Sequence, residues 1–503
     1  MVKYAGQRMA SRKKQPSGGG RGPGRRAAGA AGAGPLAAIV LAAGKGTRMR
    51  SARAKVLHEL CGRPLVVYPV ELARAVGAAP IVAVLGHQRE AVEAVLRARL
   101  GPTGVTVVEQ TEQRGTGHAV RLAMPALASA FAASEEGLVM VLYGDVPLLR
   151  RETLEALVGT ARRYSCLAMI TATPPDPTGY GRVLRDERGH VIGIVEQKDA
   201  SPEELEIGEI NAGIYCGPAD FFREATATLS ARNAQKEYYL TDIVARAAGS
   251  IGVSAIEADF KDVAGINDRQ QLAEAEAAMR ARINKALMAH VTFRDPASAV
   301  VEPDVELGVD VELGRNVALR GRTRVDHGAR IGDGVILTNV EVGAGAEVRP
   351  YSVATDAAIG PGAIIGPFAH LRPGTRVGPE AHVGNFVELK KTALGKGSKA
   401  NHLTYLGDAT IGEGVNVGAG TITCNYNGYE KFQTVIEDQA FIGSDTQLIA
   451  PVKVGRRAVI GAGTTVTSDV PAGALALSRV AQVEKAGYAQ KVAKKYAEKR
   501  KSG

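Results

Sequence analysis

The stretch "VATDAAIGPGAIIGPFAHLRPGTRVGPEAHVGNFVEL", residues 353–389, carries an aliphatic side chain at every sixth position. These positions are Val353, Ile359, Ile365, Leu371, Val377, Val383 and Leu389. Strands repeat about every 2 residues and helices about every 3.6, so neither explains this spacing. A three-sided coil that turns one aliphatic residue inward on each side does explain it.

The same spacing continues on both sides of this stretch. It is carried by Val301, Leu307, Leu313, Leu319, Val325, Ile331 and Leu337, and again by Ile442, Leu448, Val454, Ile460 and Val466. Many of these residues precede a glycine, which suits a tight corner where φ is positive. The pattern predicts a parallel β-helix over residues 291–483.

This half of the chain resembles the hexapeptide-repeat transferases. The resemblance implies a left-handed winding, opposite to the usual crossover sense, and a homotrimer with active sites between subunits. We therefore expect interruptions of the repeat to mark chemistry or subunit contacts. One interruption is the slipped register between Leu389 and Ile411, and another lies between Val417 and Ile442.

The preceding part of the chain, residues 36–266, has a different texture. Short runs rich in Val, Ile and Leu, such as "LAAIVLAAG" and "GLVMVLYGD", alternate with segments of helical period such as "REAVEAVLRARL". This alternation predicts a doubly wound α/β domain whose parallel sheet is covered on both faces. Residues 267–290 contain no Gly or Pro, which predicts a linker helix.

Positive charge is concentrated at the two ends. Residues 1–34 hold eight Lys or Arg and no acid, and residues 484–503 hold seven against two acids, so the ends carry 8 + 5 = +13 of a net +10 and the body about −3. A nucleic-acid-binding body is therefore disfavoured. We expect residues 1–35 to be a disordered basic tail, either a solvated tail or misassigned start or an electrostatic tether, and residues 484–503 to be a second basic tail.

The remaining composition points to a cytoplasmic protein. The chain shows no secretory signal and no run of about 18 apolar residues, so membrane insertion is not expected. Its four cysteines, Cys61, Cys166, Cys216 and Cys424, have no metal-binding spacing. Isolated thiols suit a reducing compartment.

A glycine-rich loop, "LAAGKGTRMRSARAKVL", follows the first apolar run at residues 41–57. It is neither a Walker A loop nor a GxGxxG fingerprint. Backbone amides and the cations Lys45, Arg48 and Lys55 would suit phosphate oxygens, although a plain structural turn remains the alternative.

Together with later motifs, this loop resembles the signature of sugar-phosphate nucleotidyltransferases, with Ala54 where that family often has Pro. The matching motifs are "EQRGTGHA", "LYGDVPL", "PTGYGRV", "VEQKDA", "EINAGIY" and "GINDR". The resemblance implies Arg48 and Lys55 as catalytic cations and Asp145 with Asn267 as Mg²⁺ ligands, although a lone Asp at a strand end is often a structural cap. It implies UTP and sugar-phosphate contacts from Leu41, Ala42, Ala43, Gly44, Lys55, Gln110, Gly115, Thr116, Gly181, Glu196, Asn211 and Asn267.

In the C-terminal half, "HLRPGTRVGPEAHVGNFVELKK" and the segment Asn401–Thr434 resemble the acetyltransferase half of bifunctional uridylyltransferase–acetyltransferases. Without that context, His402 reads as a solvated loop histidine and Arg479 as a surface arginine. The resemblance implies His402 as general base, which its ordinary pKa near about 6.5 suits. It implies sugar-phosphate contacts from Arg372, Lys390, Tyr405 and Asn416, and acetyl-CoA contacts from Asn425, Tyr426, Lys431, Ser444, Ala462 and Arg479.

The resemblance spans residues 36–483 and implies two activities that serve envelope synthesis. Glucosamine 1-phosphate would be acetylated first, and the product would then be joined to UTP with Mg²⁺, giving UDP-N-acetylglucosamine. Two alternatives remain open: a single-activity nucleotidyltransferase with a structural β-helix, and a non-catalytic scaffold with the same pair of domains. Only the bifunctional hypothesis explains why both sets of motifs occur together.

Overall fold

The computed structural model describes residues 34–132 and 136–501. The predicted tail over residues 1–35 lies almost wholly outside the described residues, and Gly34 and Pro35 lead directly into the first strand.

An α/β domain is built from the first eleven strands and eight helices of the described chain. The strands are β1 (Leu36–Ala42), β2 (Glu59–Leu60), β3 (Arg63–Pro64), β4 (Ile81–Leu85), β5 (Thr106–Glu109), β6 (Leu138–Tyr143), β7 (Leu167–Ala172), β8 (Arg182–Arg185), β9 (Val191–Val195), β10 (Ile210–Pro218) and β11 (Val253–Glu257). The helices are α1 (Val67–Ala75), α2 (Arg89–Leu100), α3 (Thr116–Phe131), α4 (Arg151–Tyr164), α5 (Pro202–Leu205), α6 (Ala219–Ala227), α7 (Asp242–Ala248) and α8 (Phe260–Val263).

Helices cover both faces of the central sheet, as the apolar runs predict. The strand order is β11-β7-β10-β6-β1-β4-β5. Successive residues of β1 point to opposite faces, so Ala38 and Val40 join one core while Ile39 and Leu41 join the other. The doubly wound fold is therefore confirmed.

One strand departs from the all-parallel expectation. β10 runs antiparallel to both of its neighbours, β6 and β7. It is preceded by the antiparallel hairpin β8–β9 and the single turn α5 rather than by a long crossover helix. Without such a crossover the chain enters the sheet from the opposite edge.

A parallel β-helix forms the C-terminal half, consistent with the left-handed winding that the resemblance implies. One wall holds β12 (Val291–Phe293), β15 (Val311–Leu313), β18 (Arg330–Ile331), β21 (Glu347–Val348), β24 (Ile364–Ile365), β31 (Asn416–Val417), β34 (Phe441–Ile442), β37 (Val459–Ile460) and β39 (Leu475–Ala476). A second holds β13 (Val300–Val301), β16 (Ala318–Arg320), β19 (Ile336–Thr338), β22 (Val353–Thr355), β25 (His370–Leu371), β32 (Ile422–Cys424), β35 (Gln447–Ile449) and β38 (Thr465–Val466). The third holds β14 (Glu306–Leu307), β17 (Arg324–Val325), β20 (Glu341–Val342), β23 (Ala358–Ile359), β26 (Arg376–Val377), β28 (Ala393–Leu394), β30 (Ala409–Ile411), β33 (Thr434–Ile436) and β36 (Val452–Val454).

Two nine-residue strands, β27 (His382–Lys390) and β29 (Lys399–Gly407), run from the first wall round a corner into the second. Phe386 in β27 and Leu403 in β29 sit at this corner with positive φ, at 56° and 45°. The corner is thus built without glycine in these two coils.

The predicted inward positions form the core of the β-helix. Each of them is at most 4% exposed except Leu307, which is half-buried against the core, and Val353. Val353 was the wrong choice because the buried side chain there is Ala354. The coil from Leu337 to Ala354 is one residue short of three six-residue sides, which shifts the inward position by one.

The slipped register near His402 has the same cause and is not an interruption of the coil. Leu394, Ala400, Leu406 and Ile411 are buried in succession, so two sides contain five residues instead of six. The side from Leu337 to Val342 is shortened in the same way far from His402. The expectation that this slip marks chemistry is therefore wrong.

The interruption after Val417 is different because it adds chain. Ala409 pairs with Thr434, 25 residues later, whereas neighbouring coils advance by 17 or 18 residues, as in Thr434 with Val452. The surplus forms a loop over residues 425–433 that projects from the helix, with Tyr429 92% exposed.

The predicted linker helix is α9 (Arg269–Leu287), which begins at the N-cap Asp268, whose side chain accepts from the Gln271 amide at 2.9 Å. One part of α9 buries Ala275 and Met279 against the α/β domain, and its end packs Ile283 and Leu287 against the β-helix. Within the predicted basic C-terminal segment lies α10 (Tyr488–Lys501). Among the described residues, no helix combines the length and apolarity needed to cross a membrane.

Neighbouring isoleucines in β24 test the inward register. Ile365 is fully buried in the core, while Ile364 is half-exposed on the wall. Ile365→Ala should destabilise the β-helix by about 2–5 kcal/mol because it leaves a cavity. Ile364→Ala is the matched control and should cost less than about 1 kcal/mol. Urea unfolding followed by circular dichroism measures both, and equal shifts would contradict the assigned register.

Candidate functional site

Two adjoining cavities open at the edge of the α/β sheet where the parallel strands end, as is usual for open α/β sheets. The first, the glycine-loop cavity, measures about 290 Å³, and the second, the inner cavity, about 300 Å³. They share the residues Thr116, Tyr143, Asp145 and Glu237. Ligands in the two cavities would therefore meet at Asp145.

Nearly all residues named for the first site line one of these cavities. The glycine-loop cavity is lined by Leu41, Ala42, Ala43, Gly44, Lys55, Gln110, Gly115, Thr116 and Asp145. The inner cavity is lined by Gly181, Glu196, Asn211, Asn267, Thr116 and Asp145. These residues come from many separate elements and are brought together only by the fold.

The glycine-rich loop is shaped around Lys55. Gly46 has a φ of 61°, and a Cβ there would collide with the Cβ of Lys55. A Cβ on Gly44, in contrast, would meet nothing within 4 Å, so the backbone of Gly44 faces open space. Ala54 does not loosen the loop, because its amide donates to Gln88 Oε1 at 2.8 Å, a bond that proline could not make.

Lys55 lies at the junction of the cavities. Its ammonium pairs with Asp145 Oδ2 and also donates to Asn267 Oδ1 at 3.2 Å. One cation thus reaches both oxygens, so the carboxylate and the amide converge closely enough to share a small metal ion. Mg²⁺ often takes one or two protein ligands and completes its shell with water and phosphate, so the pair fits Mg²⁺. No group of three or more His, Cys, Asp or Glu in the described chain could hold a metal.

The inner cavity presents a buried carboxylate and a fixed amide. Glu196 Oε1 accepts a hydrogen bond from Thr241 at 2.9 Å. Burial raises the pKa of Glu196, with Asp242 and Asp199 adding to the rise. Asn211 donates from Nδ2 to the Tyr215 hydroxyl at 2.7 Å, so its orientation is set by the core of the sheet.

Sequence reasoning and structure differ on other residues of this region. Arg48 is exposed and lines neither cavity, although it lies close enough to Tyr180 to lower the pKa of that phenol, which burial raises. Tyr143 and Glu237 line both cavities and were not predicted. Glu237 could not have been found, because its loop has no motif.

A second polar cluster lies on the outer face of the β-helix. Arg372 pairs with Glu388 at 2.8 Å, and Glu388 stands beside Tyr405 on the neighbouring coil. Lys390 lies 4.0 Å from Asp408. The side chains at this cluster carry cations close together but only partly neutralised, which suits a phosphate group.

The projecting loop completes this cluster. Asn425 donates to Asp408 Oδ2 at 2.6 Å and is buried. Lys431 lies against Lys390 of the same chain, and this neighbouring ammonium lowers the pKa of Lys431. Tyr426 is 59% exposed and closes the loop through its hydroxyl on the Gly428 carbonyl at 2.5 Å.

His402 lies round the corner from Tyr405 and is exposed. Its Nδ1 is 2.9 Å from Asn385 Oδ1, directly opposite in the neighbouring strand. Because an amide oxygen can only accept, this contact places the imidazole proton on Nδ1 and leaves Nε2 free to act as a base.

Three of the other named residues continue along the same corner. Gly420 N donates to Leu403 O, Asp445 N to Ala419 O and Gly463 N to Ser444 O, so His402, Ser444 and Ala462 occupy equivalent positions in successive coils. Coils stack about 4.8 Å apart, so the line is about 14 Å long. The guanidinium of Arg479 lies next to Gly461 at its far end.

Asn416 is the one named residue that the chain does not bring to the polar cluster. It lies on the first wall, paired with Lys399 and Phe441, whereas Tyr405 lies on the second.

The fold and these two sites define a two-domain transferase, with a nucleotidyltransferase domain joined to a hexapeptide β-helix. Residues 38–201 match the family described as MobA-like NTP transferase domain, and residues 356–391 and 433–468 match the bacterial transferase hexapeptide family. Proteins named "Bifunctional protein GlmU" are similar over almost the whole chain. The one from Sorangium cellulosum is 52% identical (91% of this chain, 97% of its own), and that from Pelobacter propionicus 48% identical (92% and 99%). A third, from Anaeromyxobacter sp. (strain Fw109-5), is 50% identical (93% and 95%).

The chain therefore belongs to the bifunctional GlmU family. It is a bifunctional uridylyltransferase and acetyltransferase, with UDP-N-acetylglucosamine pyrophosphorylase activity and glucosamine-1-phosphate N-acetyltransferase activity. The alternatives of a single activity and of a non-catalytic scaffold are set aside.

The contact between His402 and Asn385 gives a prediction for acetyl transfer. Asn385→Ala should lower kcat for acetyl transfer about tenfold, because the imidazole loses the partner that fixes its tautomer. Release of coenzyme A measures this effect. Uridylyl transfer by the same variant is the internal control and should be unchanged, and an unaltered acetyl-transfer kcat would contradict the positioning role.

Proposed function

We propose that the β-helix transfers the acetyl group of acetyl-CoA to glucosamine 1-phosphate, and that the α/β domain then joins the product to UTP and releases pyrophosphate. The observation that carries the second step is the meeting of two cavities at Asp145 and Lys55. A nucleotide in one cavity and a sugar phosphate in the other would bring their phosphate groups together there.

In this proposal the glycine-loop cavity takes UTP. The backbone of Leu41, Ala42, Ala43 and Gly44 faces the nucleotide, and Gln110 with Gly115 and Thr116 contacts the base. The inner cavity takes N-acetylglucosamine 1-phosphate. Gly181 supports this assignment because a Cβ there would meet Ile194 and approach Glu196, narrowing the cavity beside its buried carboxylate.

The reaction requires no protein nucleophile. A phosphate oxygen of the sugar attacks the α-phosphorus of UTP in line, the bond to the β-phosphate oxygen breaks, and pyrophosphate leaves. Lys55 lies at the meeting point and would stabilise the negative charge. Asp145 and Asn267 would hold Mg²⁺, which neutralises phosphate charge when bound. Arg48 lies at the rim near Tyr180 and would have to turn inward to contact a phosphate.

Acetyl transfer uses the free Nε2 of His402. As the sugar amine attacks the thioester carbonyl, Nε2 takes the amine proton, and the thiolate of coenzyme A leaves. Arg372 and Lys390, with the hydroxyl of Tyr405, would hold the sugar phosphate. Asn416 would contact the sugar.

Coenzyme A would lie along the corner that carries His402, Ser444 and Ala462. Its anionic phosphates would then approach Arg479 at the far end. Asn425, Tyr426 and Lys431 on the projecting loop would contribute from the other side of the polar cluster.

An apolar ridge supports a homotrimer. Tyr351, Phe368, Phe386 and Leu403 stack along one corner of the β-helix and are 48–65% exposed. The rings are 5.4 Å apart at each step. An exposed apolar ridge of this kind marks an interaction surface, and because His402 adjoins Leu403, a neighbouring subunit on the ridge would border the acetyltransferase site. We also propose a cytoplasmic location, where UTP and acetyl-CoA are supplied.

The two-step proposal is tested by following every sugar species by mass spectrometry, with glucosamine 1-phosphate, acetyl-CoA, UTP and Mg²⁺ present. N-Acetylglucosamine 1-phosphate should rise and then fall as UDP-N-acetylglucosamine appears. Asp145→Ala should stop the reaction at the acetylated intermediate, and His402→Ala should leave glucosamine 1-phosphate unused while still uridylylating added N-acetylglucosamine 1-phosphate. Full activity in either variant would refute the corresponding assignment.

The trimer is tested by replacing the ridge. The double variant Phe368→Glu and Phe386→Glu should run as a monomer in size-exclusion chromatography with light scattering, because charges cannot be buried there. Its acetyl transfer should fall at least tenfold while uridylyl transfer remains. Replacing the exposed Tyr429 by Glu is a control, and a trimer that survives the double substitution would exclude the ridge as the interface.

A further inference from the structure

Gln110 is a buried amide whose nitrogen is held by two neighbours. Its side chain lines the glycine-loop cavity although the residue is only 5% exposed. Nε2 lies 3.1 Å from the carbonyl oxygen of Gly115 and 3.2 Å from Nδ1 of His118. The backbone is fixed as well, because Gln110 N donates to Leu85 O at 2.7 Å.

Counting donors and acceptors determines how this amide faces a ligand. The Gly115 carbonyl can only accept, so the end of Gln110 beside it must be the NH₂ group. Its second hydrogen then points to His118, whose Nδ1 must be an unprotonated acceptor. Both hydrogens are used within the protein, and the group left for a ligand is the acceptor Oε1.

The surroundings of His118 keep its ring neutral. His118 lies in the first turn of α3, and its ring centroid is 6.2 Å from that of Tyr238. Burial lowers the pKa of His118, and the positive charges of Arg121 and Arg114 lower it further, against a smaller opposing effect of Glu112.

We propose that His118 is a positioning residue for base specificity: it holds Gln110 with only the oxygen available, and thereby selects uracil over cytosine. Uracil presents a donor, N3–H, to this acceptor, whereas N3 of cytosine is itself an acceptor and would face Oε1 unpaired. A site built for a donor rejects an analogue that lacks it. This inference rests on the proposed binding of UTP in the glycine-loop cavity with Gln110 at the base.

The arrangement makes base selection dependent on pH. A protonated His118 would present Nδ1–H to the NH₂ group of Gln110, and the two donors would repel each other. Turning the amide to relieve this would place Oε1 against the Gly115 carbonyl. Preference for UTP over CTP should therefore fall below the ordinary histidine range, near about pH 6.5, while the protein remains folded.

The test compares kcat/KM for UTP and CTP, with N-acetylglucosamine 1-phosphate and Mg²⁺, between pH 5 and 8. In the unaltered protein the UTP/CTP ratio should fall toward acid pH. His118→Ala should lower the ratio about tenfold at pH 8, the effect of about one hydrogen bond, and should remove its pH dependence. His118→Lys, a permanent donor, should lower it at least as far. The exposed His190, on the β8–β9 hairpin, gives the control His190→Ala, whose ratio and pH profile should match the unaltered protein.

Other outcomes separate the two levels of the proposal. Acetyl transfer by each variant reports whether the chain is folded. If Gln110→Ala lowers the UTP/CTP ratio but His118→Ala does not, the role of His118 is wrong and base reading by Gln110 stands. If Gln110→Ala leaves the ratio unchanged, the proposed base contact itself is wrong.

Discussion

The stacking of one aliphatic side chain on the next, coil after coil, is the constraint on which the C-terminal half depends. Each buried Val, Ile or Leu contributes about 1.5–3 kcal/mol, and parallel pairing holds successive coils in register, as with Ile365 beside Val383. Because the inside is fixed, positions outside also superimpose at every turn. Asn385 and His402, which are 17 residues apart, become direct neighbours for this reason.

The same constraint explains why shortened sides are harmless and an insertion is not. A side of five residues, such as Leu389 to Leu394, keeps its inward residue and its pairing. The additional residues after Cys424 have no place in a wall and must project. The loop is therefore free to carry Asn425 and Lys431 to the polar cluster around Asp408 and Lys390.

The α/β domain and the β-helix are held together by more than a connecting helix. Asp304, near the start of the β-helix, accepts from Arg63 at 2.6 Å and from Arg99 at 2.6 and 2.7 Å. These bonds lower the pKa of Asp304 although burial alone would raise it. With α9 packed on both domains, the network fixes how the first coils meet the sheet.

The sequence by itself determined the classes of structure and the residue types at the sites. Periods of six, of about 3.6 and of short apolar runs are local, and they reflect which side chains must be buried, so the β-helix, the linker helix and the covered sheet could all be predicted. Short motifs named most of the residues that line the two cavities. The direction of β10, and the burial of Ala354 in place of Val353, could not be predicted, because a strand's partners and a one-residue shortening are set by distant segments.

Only the tertiary structure decided which of those residues meet. It joined Lys55, Asp145 and Asn267, which are separated by up to 212 residues in the chain, and it left Arg48 at the rim. It placed Glu237 in both cavities without any motif, and it aligned His402, Ser444 and Ala462 on one corner. Hydrogen-bond partners depend on geometry across elements, so the fixed amide of Gln110 beside His118 and the free nitrogen of His402 became visible only once the fold was known.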